Sequence, residues 1–363
     1  DCKLLLGSQY ALLRPEFAKW RVCSLERRNN PKFKRLLVNM GGVDVDNITE
    51  NVLDELKMCN LPNDIHITIV MGGSAPHLES VEFKASTLPY KTEVKVDVGN
   101  MAEIMSNSDI AIGAAGSTTW ERCCLGLPTI QIVIAKNQLF SAEILDHYNI
   151  VRLVKNIQEI PCLLEVSTEW MGNVGNAALE ICDGMGSCKV FNKMTDRKIT
   201  LEKFGEVELC NYINLNENDK LQALNMRNHL QVKKWMYNQG GISKEDHFGF
   251  IKNLENDMEG RYFLVKQKNN IIGSINFSKI NFENSVELGV YTNPFLRLKN
   301  AGKLLESAAS QYAFIELDVE KIKLEVFSDN ERAARFYNNC NYKFVDIKKV
   351  NHQDVMCMEK MKI

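Results

Sequence analysis

The stretch Gly113-Ala114-Ala115-Gly116-Ser117-Thr118-Thr119-Trp120-Glu121 packs small residues, hydroxyls and one acid into a few positions. An apolar run, SDIAIG, precedes it, and a helix-like run, WERCCLGLP, follows it. A strand, a bare loop and a helix start in that order form an anion site. The leading helical N–H groups have no internal partner, and the helix dipole favours negative charge beside them. Glycine lets a phosphate approach the backbone, and Ser117, Thr118 and Thr119 add hydroxyl donors. Glu121 would repel a phosphate but can accept two hydrogen bonds from a ribose diol. The ligand this pattern calls for is a nucleotide diphosphate with a sugar attached. A tight strand–helix turn capped by threonine is the plain alternative, because a glycine-rich loop alone is a weak signal.

The elements that must position this loop alternate. RLLVNMGG (35–42), IHITIVMGG (65–73), VKVDVG (94–99), DIAIGAAG and PTIQIVIA read as strands. ITENVLDELKMC, MAEIMSNS and the run from about Thr118 read as helices between them. Strands separated by helices imply a parallel sheet with right-handed crossovers, which takes its ligand at the carboxyl ends of the strands. The alternation stops near 184–206, which is polar and aperiodic and is expected to contain a linker. Beyond it come a helix (LQALNMRNHLQVKKWMY), a hairpin around Lys-Asn-Asn (RYFLVKQKNNIIGSINFS) and a strand stopped by proline (SVELGVYTNP). A long helix (AGKLLESAASQYAFIEL), a strand (KIKLEVFSDN), a helix (ERAARFYNNC) and a strand (YKFVDIKKV) complete the chain.

With 363 residues, two domains are expected. The apolar share of 45% and charged share of 25% are ordinary for a globular protein. A net charge of -2 excludes general attraction to nucleic acid or anionic membrane. The 11 cysteines are odd in number and no pair has CxxC spacing, so a reduced cytoplasmic pool is expected rather than a disulfide framework or zinc site. No apolar run is long enough for a membrane helix. The start, DCKLLLGSQY, lacks both a signal-peptide pattern and an initiator Met, so the chain is expected to begin partway through a longer protein.

LLLGSQYALLRPEF, NMGGVD, GAAGSTTWERCCLGLPTI and Asn137-Gln138, in that order, closely resemble a family of bacterial hydrolases of pseudaminic acid synthesis, related to the GT-B glycosyltransferases. That family removes UDP from UDP-2,4-diacetamido-2,4,6-trideoxy-β-L-altrose. The resemblance covers roughly residues 1–190. It implies that the amides of Gly116, Ser117, Thr118 and Thr119 hold the diphosphate and Glu121 the ribose. The segment around Met101 would meet the uracil, and Gly41 and Gly42 would line the cleft. Asn137 and Gln138 would face the sugar, with Asn137 orienting the attacking water; a helix N-cap is the plain role for Asn137. The family's glycine-rich G-x-G-H segment has no match here, and His66, His77 and His147 lie outside any such motif.

The order of the second half resembles the GNAT acetyltransferase fold, in which a strand splays from its neighbour to receive acyl-CoA. By that resemblance Lys299, Asn300, Ala301, Gly302 and Lys303 start the long helix that holds the CoA pyrophosphate, with one glycine position departing from the family pattern. SDNERAARFYNNCNYKFV resembles the family's N-x-x-A-x-x-F-Y ending. Asn341 stands where glycine is common, and asparagine also adopts a left-handed turn. The resemblance makes Tyr337 the general acid that returns a proton to the CoA thiolate, and Asn330 a ligand of the pantetheine arm. A packed aromatic and a helix N-cap are their plain alternatives. Amides around Leu288 and Val290 would polarise the thioester carbonyl, and Glu287 would accept the amine proton through water. RNHLQVKKWMYNQGGIS, HFGFIKNL, RYFLV and ELGVYTNPF resemble, more closely, the acetyltransferases of the same pathway, which act on UDP-4-amino-4,6-dideoxy-β-L-AltNAc. Arg227, Asn228, His229, Trp235 and Tyr237 would then lie near the acceptor, with helix packing the alternative for Trp235 and Tyr237.

The reading is an α/β chain in which the second half is a self-contained enzyme and the first binds a UDP-sugar and is expected to hydrolyse it only when completed by a missing N-terminal domain. Residues 1–190 form a Rossmann-like parallel-sheet domain of the GT-B C-terminal type, 191–206 a linker, and 207–363 a GNAT domain. Acetyl-CoA is the expected co-substrate and a UDP-amino sugar the partner, with no metal, nucleic acid or membrane. Two rivals stand beside it. One keeps the folds and changes the sugar, to a legionaminic- or bacillosamine-type intermediate. The other makes the first half a UDP-sugar binding module without catalysis.

Overall fold

The computed structural model describes residues 4–362. The chain divides between Ser187 and Cys188 into two compact units, each α/β.

In the first unit the strands are β1 (Arg35–Asn39), β2 (His66–Met71), β3 (Lys91–Val96), β4 (Ile110–Ala114), β5 (Thr129–Ile132) and β6 (Arg152–Val154). They form one parallel sheet in the order β3-β2-β1-β4-β5-β6. β4 and β5 are buried at every position, which is why IAIGA and TIQI read as apolar runs: helices cover both faces of a parallel sheet. The helix Ile48–Lys57 buries Val52, Leu53 and Leu56, one face at helical spacing. Asp109 ties the start of β4 to β1, accepting from the amides of Lys34 and Arg35 at 2.8 Å each and from Arg27. The strand order reverses between β1 and β4, and the crevice at their carboxyl ends is where such sheets take ligands. β6 escaped the sequence reading because three residues carry little periodicity.

In the second unit the strands are β7 (Arg197–Leu201), β8 (Gly205–Asn211), β9 (Arg261–Gln267), β10 (Asn270–Phe282), β11 (Ser285–Thr292), β12 (Lys321–Phe327), β13 (Lys343–Val350) and β14 (Gln353–Met361). The order is β13-β14-β12-β11-β10-β9-β8-β7. All neighbours are antiparallel except β11 and β12, which are parallel. The segment expected as a linker, 191–206, is structured: it holds the end of the helix Gly186–Lys193 and all of β7. Its burial alternates, with Ile199 and Leu201 inside and Lys198 and Thr200 outside. A half-buried outer strand of five residues shows too short an alternation to stand out from polar flanks. β14 was also missed; a left-handed turn at Asn351 and His352 joins it to β13.

The expected hairpin is present, with Lys268 and Asn269 at φ 47 and 67 between β9 and β10. Asn341 is left-handed at φ 69. The helix read across 221–237 instead ends at Asn228; His229 is extended and a short helix, Leu230–Lys233, follows. Among the described residues no helix is long and apolar enough to cross a membrane, and the described cysteines are free thiols.

Candidate functional site

In the first unit, the loop after β4 and the segment after β5 close around a cleft of about 440 Å3. Gly116, Ser117 and Thr119 form one wall, and Asn137 and Gln138 the other. The structure thus brings together five of the residues singled out by sequence. Gln138 is held there by the backbone four residues earlier, its Oε1 accepting from the Ile134 amide at 3.1 Å. Asn137 lies in the middle of a single 3-10 turn, Lys136–Gln138, and does not cap the following helix; Gln138 occupies that position without a side-chain cap.

Gly41, Gly42, Thr118, Glu121 and Met101 are outside the lining of this cleft. Gly41 and Gly42 follow β1 at the same sheet edge, and Gly41 has φ 97, which favours glycine. Met101 itself is 7% exposed and belongs to an apolar cluster with Phe17, Leu37 and Ala111, so its side chain is taken up by the core, while the uracil contact was expected of the segment around it. Glu121 is half-buried, and its carboxylate accepts no hydrogen bond from the described residues. Burial pushes its carboxyl up, against the pull of Arg14 and Arg122.

Two cleft-side residues were missed. Gln131 is 1% exposed, lines the cleft and has an unpartnered Oε1. Arg122 is 1% exposed behind the loop. The signals were present: one amide inside the apolar run PTIQIVIA and one guanidinium inside WERCCLGLP.

In the second unit the register of β11 against β12 ends at Glu287↔Lys323. β11 continues to Thr292 paired only with β10, and β12 to Phe327 paired with β14. Leu288 and Val290 therefore stand on a strand whose β12 side has opened. The helix Ala301–Gln311 begins beside exposed Lys299 and Lys303, after Asn300 at φ 65, and has no acid in its first turn. Its leading amides lack helical partners, and Gly302 sits against the Phe336 ring, 3.5 Å from where a Cβ would stand. This edge fits an acyl chain ending in a pyrophosphate.

Tyr337 lies on the helix Glu331–Asn338, which follows β12, and its ring meets Tyr342 edge-on at 5.4 Å. Burial, and after it the Glu306 carboxylate, push the phenol well above its usual range. Asn330 is the N-cap of this helix, accepting from the Ala333 amide at 3.2 Å. Glu287 pairs with Lys279 at 2.7 Å.

The acceptor set is divided. Asn228 exchanges two hydrogen bonds of 2.9 Å with the backbone of Ile242, and His229 caps the short helix through Nδ1 to the Gln231 amide at 3.2 Å. Both are engaged in local structure. Arg227 donates to the Asn238 carbonyl at 3.0 Å and keeps Nη1 buried without a partner. Trp235 is half-buried under the Lys234 ammonium at 4.9 Å. Tyr237 reaches Glu325 on β12, a carboxylate that also pairs with Lys348 at 2.5 Å. Burial pushes Glu325 up, but Lys348 and Tyr237 outweigh it and hold the carboxyl below its usual range. Glu325 lies two residues past the last β11–β12 pair, on the opposite face from buried Leu324 and Val326. Sequence alone did not separate it from the alternating charges of KIKLEVF.

Comparison with known proteins agrees with this division. Residues 35–159 match the glycosyltransferase family 28 C-terminal domain, and residues 228–342 the acetyltransferase (GNAT) family. The acetyltransferase PseH of Campylobacter jejuni is 35% identical over 140 residues, 39% of this chain and 87% of that protein. The spore coat polysaccharide biosynthesis protein SpsG of Bacillus subtilis is 26% identical over 143 residues, 39% of this chain and 41% of that protein. The uncharacterized protein MJ1062 of Methanocaldococcus jannaschii is 26% identical over 343 residues, 93% of this chain and 67% of that protein. The crystal structure of Campylobacter jejuni PseH with acetyl coenzyme A is 28% identical, covering 43% of this chain and 99% of that one with a TM-score of 0.36.

Proposed function

The chain belongs to the acetyltransferase (GNAT) family through its second unit, and from that premise we propose that it acetylates the 4-amino group of a UDP-linked 4-amino-dideoxy sugar. Acetyl-CoA supplies the acetyl group and a thiolate leaving group. The opened edge of β11 around Leu288 and Val290 holds the thioester carbonyl, and the start of the helix Ala301–Gln311 holds the pyrophosphate. The acceptor amine enters past Tyr237 and Trp235. Glu325 takes the amine proton, and Tyr337 donates its phenolic proton to the departing sulfur. The role first read into Glu287 passes to Glu325, which stands beyond the point where the strands part. The observation that carries this reading is the end of β11–β12 pairing at Glu287.

The first unit, similar over part of its length to SpsG, binds the same class of UDP-sugar in its cleft and removes UDP from the diacetylated product. Ser117 and Thr119 bond the diphosphate and Asn137 and Gln138 the sugar, all four from the cleft lining, and Glu121, outside that lining next to Trp120, takes the ribose. The alignment with MJ1062 runs through both units, which supports a functional reason for their linkage: a product released in reach of the next site meets it at raised local concentration.

The test is thiol release from acetyl-CoA with UDP-4-amino-4,6-dideoxy-β-L-AltNAc, followed by UDP release. Rapid thiol release with this sugar and little with its 4-hydroxy counterpart is expected. Thiol release indifferent to the 4-amino group would overturn the acceptor assignment. UDP binding without UDP release from the diacetylated sugar would reduce the first unit to a binding module.

Glu121 gives a separate expectation. Glu121→Ala should weaken UDP binding by about 10- to 100-fold, the range of a hydrogen bond to a charged group. Because burial raises this carboxyl, and only its ionised form accepts from both diol hydroxyls, wild-type affinity should begin to fall on acidification above the ordinary Glu value of about 4.3. Calorimetry across pH with both proteins checks this; an unchanged affinity in the variant removes Glu121 from the site.

A further inference from the structure

Arg122 is the most deeply buried cation of the first unit, at 1% exposure, and it makes no ion pair among the described residues. Its partners are all neutral. Nη2 donates to the Ala114 carbonyl at 2.7 Å and to Thr119 Oγ1 at 3.3 Å, and Nη1 donates to Thr118 Oγ1 at 3.1 Å. Nε is buried without a partner. The chain makes room for this group: a Cβ at Gly113 would stand 2.5 Å from Nη1 and 2.9 Å from Cζ. A guanidinium is costly to bury without an opposite charge. Burial does push it down, to about 10, which leaves it charged at neutral pH.

The hydrogen-bond directions add a constraint. Arginine has donors only, so the oxygens of Thr118 and Thr119 must accept from it. Their hydroxyl hydrogens then point elsewhere, and Thr119 lines the cleft. Glu121 acts on this charge only through space and makes no contact with it; a guanidinium without a contacting counter-ion, set directly behind hydroxyls forced to donate, calls for an anion on the cleft side of the loop. Gln131, buried and with its own unpartnered oxygen on the same cleft, shows a polar interior awaiting a ligand.

We propose that Arg122 is a positioning residue whose counter-ion is the diphosphate of the bound nucleotide, acting through Thr118 and Thr119. The inference deepens, and rests on, the UDP-sugar reading of this cleft. It assigns to Arg122 the discrimination of nucleoside diphosphate from nucleoside.

The experiment measures UDP binding by calorimetry and uridine binding by ligand-observed NMR, for the full chain as wild type, Arg122→Met and Arg122→Lys. Arg122→Met should lose about 10- to 100-fold in UDP affinity while keeping that for uridine. Arg122→Lys, which keeps the charge without the fork, should lie between. The ligand-free Arg122→Met protein should melt no lower than wild type, because an unpaired buried charge has been removed. A merely structural arginine would instead lower melting and weaken UDP and uridine by the same factor, and that result overturns the proposal. So does an Arg122→Met protein that binds UDP as wild type does. Should Arg122→Met not fold, the ratio of UDP to uridine affinity in Arg122→Lys decides in the same way. A wild type that fails to bind UDP sinks the reading of the cleft itself, and this inference with it; that result is distinct from a wild type and variant that bind alike.

Discussion

Tyr337→Phe should slow acetyl transfer by about 10²- to 10⁴-fold, the usual contribution of a positioned general acid, with acetyl-CoA binding retained. The substitution keeps the ring that meets Tyr342 at 5.4 Å, so packing is preserved and only the transferable proton is lost. Without it the sulfur must leave as an unprotonated thiolate, and the tetrahedral species collapses backward more often. Burial and Glu306 raise this phenol. It therefore stays protonated past the ordinary tyrosine value of about 10, and wild-type kcat should show no alkaline fall from this group below that pH. Steady-state thiol release against pH, with acetyl-CoA affinity measured separately, checks both parts. Rates that agree within about threefold would leave Tyr337 as a packed aromatic, since general acid catalysis contributes far more.

Glu325→Gln should lower kcat by about 10²-fold, whereas Glu287→Gln should stay within about fivefold, the worth of an exposed ion pair. The difference follows from placement. Glu287 belongs to the last hydrogen-bonded pair of β11 and β12 and is held by Lys279. Glu325 lies beyond that pair and faces Tyr237, which approaches from the segment expected to meet the acceptor. Since Lys348 and Tyr237 hold the Glu325 carboxyl below its usual range, it is ionised above about pH 4.3. Acid loss of activity at higher pH must then come from protonation of the acceptor amine, and it should persist in Glu287→Gln. Tyr237→Phe, which removes one hydrogen bond and leaves the carboxylate, separates loss of the base from loss of its support. A larger effect in Glu287→Gln than in Glu325→Gln would return the role to Glu287.

The parallel sheet of the first unit was legible mainly through its central strands β1, β4 and β5, which are covered on both faces and so read as apolar runs bounded by glycine or a polar helix start. The same rule hid β7 and β8. They lie at one end of a largely antiparallel sheet, where Lys198, Thr200 and Glu206 face outward, and a polar stretch of that kind resembles a linker. The single long helix read over 221–237 failed at His229, where a side-chain cap to Gln231 restarts the chain. Nothing in the apolar spacing marks that break.

The sequence by itself determined two α/β units, the strand–loop–helix order around Gly116, the left-handed turns at Asn269 and Asn341, and the helix that carries Tyr337. Each depends on neighbours in the chain: backbone conformations open to glycine and asparagine, and periodicity matched to burial. Only the tertiary structure decided which side chains remain available. It spent Asn228 and His229 on local hydrogen bonds, placed Met101 in the core, brought Tyr237 to Glu325 from 88 residues away, and set Arg122 behind Thr118 and Thr119. Those outcomes depend on strand order and on where β11 and β12 separate, and long-range pairing is what short-range residue patterns do not encode.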